Sequence, residues 1–93
     1  MVDYRLLNEN KMKNYLSYRS GCDVNKRDLQ GCIDYFVEFA DYINEVREGN
    51  KFIKEGASLE VEINKELYEV WVHYNFVWEN GKEIALIDLD TKY

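Results

Sequence analysis

Two hydrophobic periods divide this chain. Between Asn25 and Gly49 the apolar residues Leu29, Ile33, Phe36, Ala40 and Ile43 recur at three- and four-residue steps, with Cys32, Phe39 and Val46 widening the stripe. That spacing puts one continuous apolar face on a helix. Asn25 or Asp23 can cap its start, and Arg47 followed by Gly49-Asn50 marks its end. From Leu59 onward the period becomes two. Leu59, Val61 and Ile63 alternate with Glu60 and Glu62, and Tyr68, Val70, Val72, Tyr74, Phe76 and Trp78 occupy alternate positions of a longer run. These are strands with one buried face.

The turn residues fix how the strands pair. Asn80-Gly81 between Glu79 and Lys82 is the signature of a two-residue type I′ hairpin, which sets Phe76 against Ala85, Tyr74 against Ile87 and Val72 against Leu89. A two-residue turn at Asn64-Lys65 sets Val61 against Tyr68 and Leu59 against Val70. Both hairpins then place their apolar sets on the same side of the central strand, an agreement that neither turn imposes on the other.

Three weaker patterns complete the outline. Asn8 is a candidate cap, with Leu7 and Met12 at staple positions and Met12, Tyr15, Leu16 and Arg19 along one face, which predicts a short helix over about Glu9 to Tyr18, ended by Ser20-Gly21. Lys51-Phe52-Ile53-Lys54, leading into Glu55-Gly56, is a candidate fourth strand. Gly31 inside the long helix is either the site of a close crossing or a tolerated defect. The expected fold is α+β: a short N-terminal helix and one long helix packed on a three- to four-stranded antiparallel β-sheet meander, as a single domain over residues 1–93.

One sheet face lies under the long helix. The other carries Glu60, Glu62, Glu69, Trp71, His73, Asn75, Val77, Ile84, Leu86 and Asp88, which is too apolar a mixture for full exposure. Either the first helix or another molecule should cover it.

Composition narrows the function classes. The 93 residues carry 18 acidic and 12 basic side chains for a formal charge of -6. This balance disfavours direct binding to nucleic acid or anionic lipid and attracts a basic partner. Cys22 and Cys32 have no histidine nearby to complete a metal set and read as reduced thiols, Cys32 buried. No apolar run reaches membrane-spanning length, and Met1-Val2-Asp3-Tyr4-Arg5 lacks the basic-then-apolar order of a secretory signal, so the expected location is cytoplasmic.

Candidate chemistry is sparse. His73 lies opposite Asp88 in the expected register, a base and orienter without a nucleophile on the same face. Glu60 and Glu69 are expected cross-strand neighbours, with Glu62 and Asp88 on the same face, and a small sheet gives them no cleft. Glycine-rich phosphate loops, paired cysteine motifs and metalloprotease helices do not occur. The expectation is a protein that is not an enzyme and uses neither cofactor nor metal.

The pattern that exceeds composition is on the long helix. Asp34, Glu38, Asp41, Glu45 and Glu48 are spaced four, three, four and three, forming one ridge about 21 Å long opposite the apolar stripe. Like charges at this spacing destabilise a helix by a few tenths of a kcal/mol per pair, and those near the C-terminal end oppose the dipole. Interspersed lysines would remove that cost from a merely solvated face. The ridge, with Tyr35 and Tyr42 beside it and Trp71 on the sheet, is the expected partner-binding set.

The expected partner is a basic protein such as a nuclease or other nucleic-acid-binding protein, engaged by carboxylates that imitate a row of phosphates. Small acidic inhibitors, immunity proteins and anti-defence proteins use this physics, and the likeness here is one of size and charge. Two alternatives stand beside it. The first is a structural subunit self-associating, as a homodimer for instance, through Trp71, Val77, Ile84 and Leu86. The second is a small enzyme with an unfamiliar histidine and carboxylate site.

Overall fold

A computed structural model describes residues 3–49 and 56–91, without the side chains of residues 46–49. The elements run β1 (Asp3–Leu6), α1 (Glu9–Ser20), α2 (Lys26–Gly49), β2 (Gly56–Ile63), β3 (Glu66–Glu79) and β4 (Lys82–Asp90). Local chemistry sets their ends. Asn8 Oδ1 accepts the Lys11 backbone N–H at 2.9 Å, and Gly21, left-handed at φ 70°, donates its N–H to Ser17 O. These bonds satisfy groups that the ends of α1 would otherwise leave unpaired. Of the two candidate caps for α2, Asn25 is the one used: its Oδ1 accepts the Asp28 N–H at 2.8 Å.

The meander β2-β3-β4 has the expected register, with Val61 opposite Tyr68, Leu59 opposite Val70, Phe76 opposite Ala85, Tyr74 opposite Ile87 and Val72 opposite Leu89. Both turns have positive φ at their two central residues, Asn64 and Lys65 at 52° and 68°, Asn80 and Gly81 at 51° and 75°, as a type I′ turn requires. Lys65 holds a conformation that disfavours any side chain bearing a Cβ. Lys65→Gly is therefore expected to raise the unfolding free energy by about 1 kcal/mol, measured by urea denaturation. A loss of stability would show that the Lys65 side chain has a role outweighing its backbone strain.

The sheet is mixed rather than wholly antiparallel. Its order is β1-β4-β3-β2, and β1 lies parallel to β4, with Asp3 beside Ile84 and Leu6 beside Ile87. The candidate strand Lys51–Lys54 lies outside the described residues, and the observed fourth strand comes from the opposite end of the chain. On the sheet's outer face, Arg5 spans β4 to Glu79 through two contacts at 3.1 and 2.7 Å. The Arg5 hydrogen bond holds the Glu79 carboxyl below its ordinary range. Because that shift is downward, the pair supports the β1 attachment above the ordinary glutamate range and is lost as pH falls through the lowered value.

Both helices pack on the same face. Met12 and Leu16 of α1 join Leu29, Cys32, Ile33, Phe36, Val37, Ala40 and Ile43 of α2 in one buried cluster with the inward residues of β2, β3 and β4. The first helix thus does not cover the mixed face, on which Glu60, Glu62, Glu69, Trp71, His73 and Asn75 are exposed and Val77, Ile84, Leu86 and Asp88 partly buried. The expected staple also differs: Leu7 is 53% exposed, whereas Leu6, on the inward side of β1, packs against the core. Gly31 makes no close crossing, since a Cβ there would meet nothing within 4 Å. Among the described residues no helix is long and apolar enough to cross a membrane.

Candidate partner-binding surfaces

The acidic ridge begins with the helix period and is completed by what the helix packs on. The apolar stripe of α2 is buried against the sheet, so the opposite side of the helix must face outward. Asp34, Glu38 and Glu45 are exposed there, and Asp41 is partly buried. The side chain of Glu48 lies outside the described residues. Gln30 Nε2 donates to Asp34 Oδ1 at 2.7 Å, and Asp41 is engaged as well. Glu38 and Glu45 form no ion pair among the described residues. Their charge is left to the solvent side of the helix.

The two tyrosines beside the ridge are tied to the core through one ring. Phe39 meets Tyr35 edge-on at 6.5 Å, Tyr42 at 5.1 Å and Tyr74 at 6.4 Å. Tyr74 is 2% exposed and donates its hydroxyl to Phe36 O at 2.7 Å, and burial raises its phenol pKa. Tyr35 and Tyr42 therefore present contact area whose orientation is partly fixed before any partner arrives, which lowers the ordering cost of binding.

Trp71 is not part of that surface. Its outward position on β3 places it on the sheet face away from both helices, with the sheet between it and α2. A single flat partner surface cannot meet both. Two other outer-face groups, His73 and Asp88, have side-chain partners. His73 is in register with Asp88 as expected, yet its Nε2 lies 3.0 Å from Oδ2 of Asp90, and Asp88 instead takes the Lys11 ammonium at 3.2 Å. Asp90 stands diagonal to His73 on the twisted sheet and Lys11 reaches Asp88 from α1, neither of which the strand register alone reveals. Glu60 and Glu69 are direct cross-strand neighbours.

Neither cysteine completes a site with His73. Cys32 is 3% exposed in the core beneath α2, and burial, with Asp28 adding to it, pushes its thiol up to about 11. Cys22 is partly exposed and its sulfur lies 3.3 Å from Ser20 Oγ. A thiol-specific reagent at pH 8 should modify Cys22 in the folded protein and reach Cys32 only as the protein unfolds, because the thiolate is the reactive form. Equal rates at the two positions, read by mass spectrometry, would contradict the burial of Cys32. Among the described residues no group of three or more histidine, cysteine or carboxylate side chains is placed to hold a metal ion.

One feature has no signature in the linear sequence apart from Gly31. A groove of about 790 Å³ runs between the N-terminal half of α2 and the outer edge of β2, which among the described residues pairs only with β3; Gly31, Cys32 and Tyr35 line one side and Glu60, Val61 and Glu62 the other. No known protein-family model matches the chain, and neither a curated protein nor a solved structure matches it.

Proposed function

We propose that this chain is a small acidic binding or inhibitory protein of the cytoplasm that captures a basic, nucleic-acid-handling protein through the outward face of α2. The observation that supports this reading is the exposure of Asp34, Glu38 and Glu45 along one face, with Glu38 and Glu45 making no ion pair among the described residues. A row of carboxylates spaced about 4.5 to 6 Å along a helix offers such a partner the charge, though only loosely the spacing, of a phosphate row. Charge accelerates encounter, and Tyr35 and Tyr42 supply the contact area that prolongs it. Affinity capture from cells that express the protein, at low and high salt, tests the reading. The wild type should retain a basic protein that the combined Asp34→Lys, Glu38→Lys, Asp41→Lys variant loses. Retention of the same protein by that variant would remove the ridge from the mechanism.

A second reading is favoured by the open sheet face, where Trp71 is 39% exposed and Val77, Ile84 and Leu86 are partly buried. In this reading the protein is an assembly subunit that pairs with its own copy. Molar mass measured across dilution separates the two: a persistent dimer disrupted by Trp71→Asp supports assembly, and a monomer at high concentration counts against it.

A further inference from the structure

The β2 strand is the longer of the two sheet edges, and among the described residues it pairs only with β3. Its eight residues contain neither proline nor any interruption of the pairing to β3. An edge of this kind presents unpaired backbone donors and acceptors and is a template for another strand unless something blocks it. Beside its second half, α2 stands back far enough to leave the groove of about 790 Å³, within the range that holds a bound ligand. Gly31 lines that groove with nothing within 4 Å of the place a Cβ would take.

We infer that this groove accepts an extended segment of the basic partner as an additional strand on β2, with lysine or arginine at alternate positions and small apolar residues between them. The alternation follows from the pleat. Glu60 and Glu62 are exposed on the outer face, and Val61 between them is buried toward α2. Residues of an added strand that fall beside Glu60 and Glu62 meet carboxylates, and those beside Val61 enter the space next to Gly31 and Tyr35. A second copy of this chain is a poor occupant of the same edge. Pairing β2 with its own copy would bring the Glu60 and Glu62 carboxylates of the two copies close together on one face, and like charges on adjacent strands destabilise the pair. Arg27, Lys65 and Asp28 stand at the hairpin end of the groove, so the demand for a cation is confined to the two glutamate positions. The inference rests on the proposed basic partner only for that charge preference; the strand edge and the groove stand apart from the ridge.

The test uses a synthetic eight-residue peptide alternating lysine and valine, with an isomer of four lysines followed by four valines as control, titrated into the full chain and followed by amide NMR and hydrogen exchange. The alternating peptide should slow exchange of β2 amides and bind roughly tenfold more tightly than its isomer. Gly31→Gln, which favours the helix and fills the groove mouth, and the pair Glu60→Lys with Glu62→Lys should each remove that preference. Unchanged β2 exchange at saturation, or equal binding of the two peptides, would overturn the inference. The ridge variant separates the two readings. Protection of β2 that persists in a ridge variant still able to capture the partner discards the ridge alone, and ridge-dependent capture with β2 unprotected discards the added strand alone.

Discussion

Replacing Phe36 by alanine is expected to lower the unfolding free energy by about 3–5 kcal/mol, and the midpoint of thermal unfolding by roughly 15–30 °C. Phe36 is 0% exposed in the cluster that joins both helices to the sheet, so its loss removes apolar burial and leaves a cavity that the surrounding structure fills only in part. A chain of 93 residues has a total stability of about 5–14 kcal/mol, so this single change consumes a large part of it. Tyr74→Phe serves as the control. It removes only the hydroxyl that Tyr74 donates to Phe36 O, and that carbonyl also accepts within the helix, so about 1 kcal/mol is expected. A loss below about 1 kcal/mol for Phe36→Ala would contradict the packing of α2 on the sheet.

If the proposed capture of a basic protein is right, reversing Asp34, Glu38 and Asp41 to lysine slows association with that protein by roughly 10- to 1000-fold at low salt. Lysine is a good helix former and the altered positions lie away from the core, so circular dichroism should be unchanged. The difference should shrink as salt rises, because the Debye length falls from about 10 Å at 0.1 M to about 3 Å at 1 M. Asp41 is partly buried and engaged, so Glu38→Lys with Glu45→Lys provides a cleaner pair, both positions being exposed. Association constants that match the wild type at both salt concentrations would leave the ridge with no role in capture, and stopped-flow mixing resolves this.

The surfaces differ in how legible they were. The ridge could be read from residue spacing because a single helix determines which way its own side chains point once its apolar stripe is known. Its tyrosines could be placed beside it on the same ground. Their coupling through Phe39 to Tyr74 could not, since that contact joins a helix to a strand. The period-two alternation of β3 is enough to place Trp71 on the mixed sheet face, and the structure has it there, across the sheet from the ridge. The hairpin register sets His73 opposite Asp88, and its hydrogen bond goes to the next outward residue, Asp90. The groove beside β2 has no local sequence pattern because its two walls are brought together only by the packing of α2.

By itself the sequence determined whatever a segment of ten to twenty residues can decide: the caps of α1, the inward stripe of α2, the two hairpins and their registers. Periodicity and turn chemistry act over that range, and a slip of one residue would turn every apolar side chain of a strand to the wrong face. Only the tertiary structure decided that β1 lies parallel to β4, although the alternation of Asp3 and Arg5 with Tyr4 and Leu6 was present in four residues too few to rank as a strand. It alone decided that α1 shares the face occupied by α2 and so does not cover the mixed face. Such choices join segments distant along the chain, where loop closure, sheet twist and competition for one core set the outcome, and no local pattern encodes them.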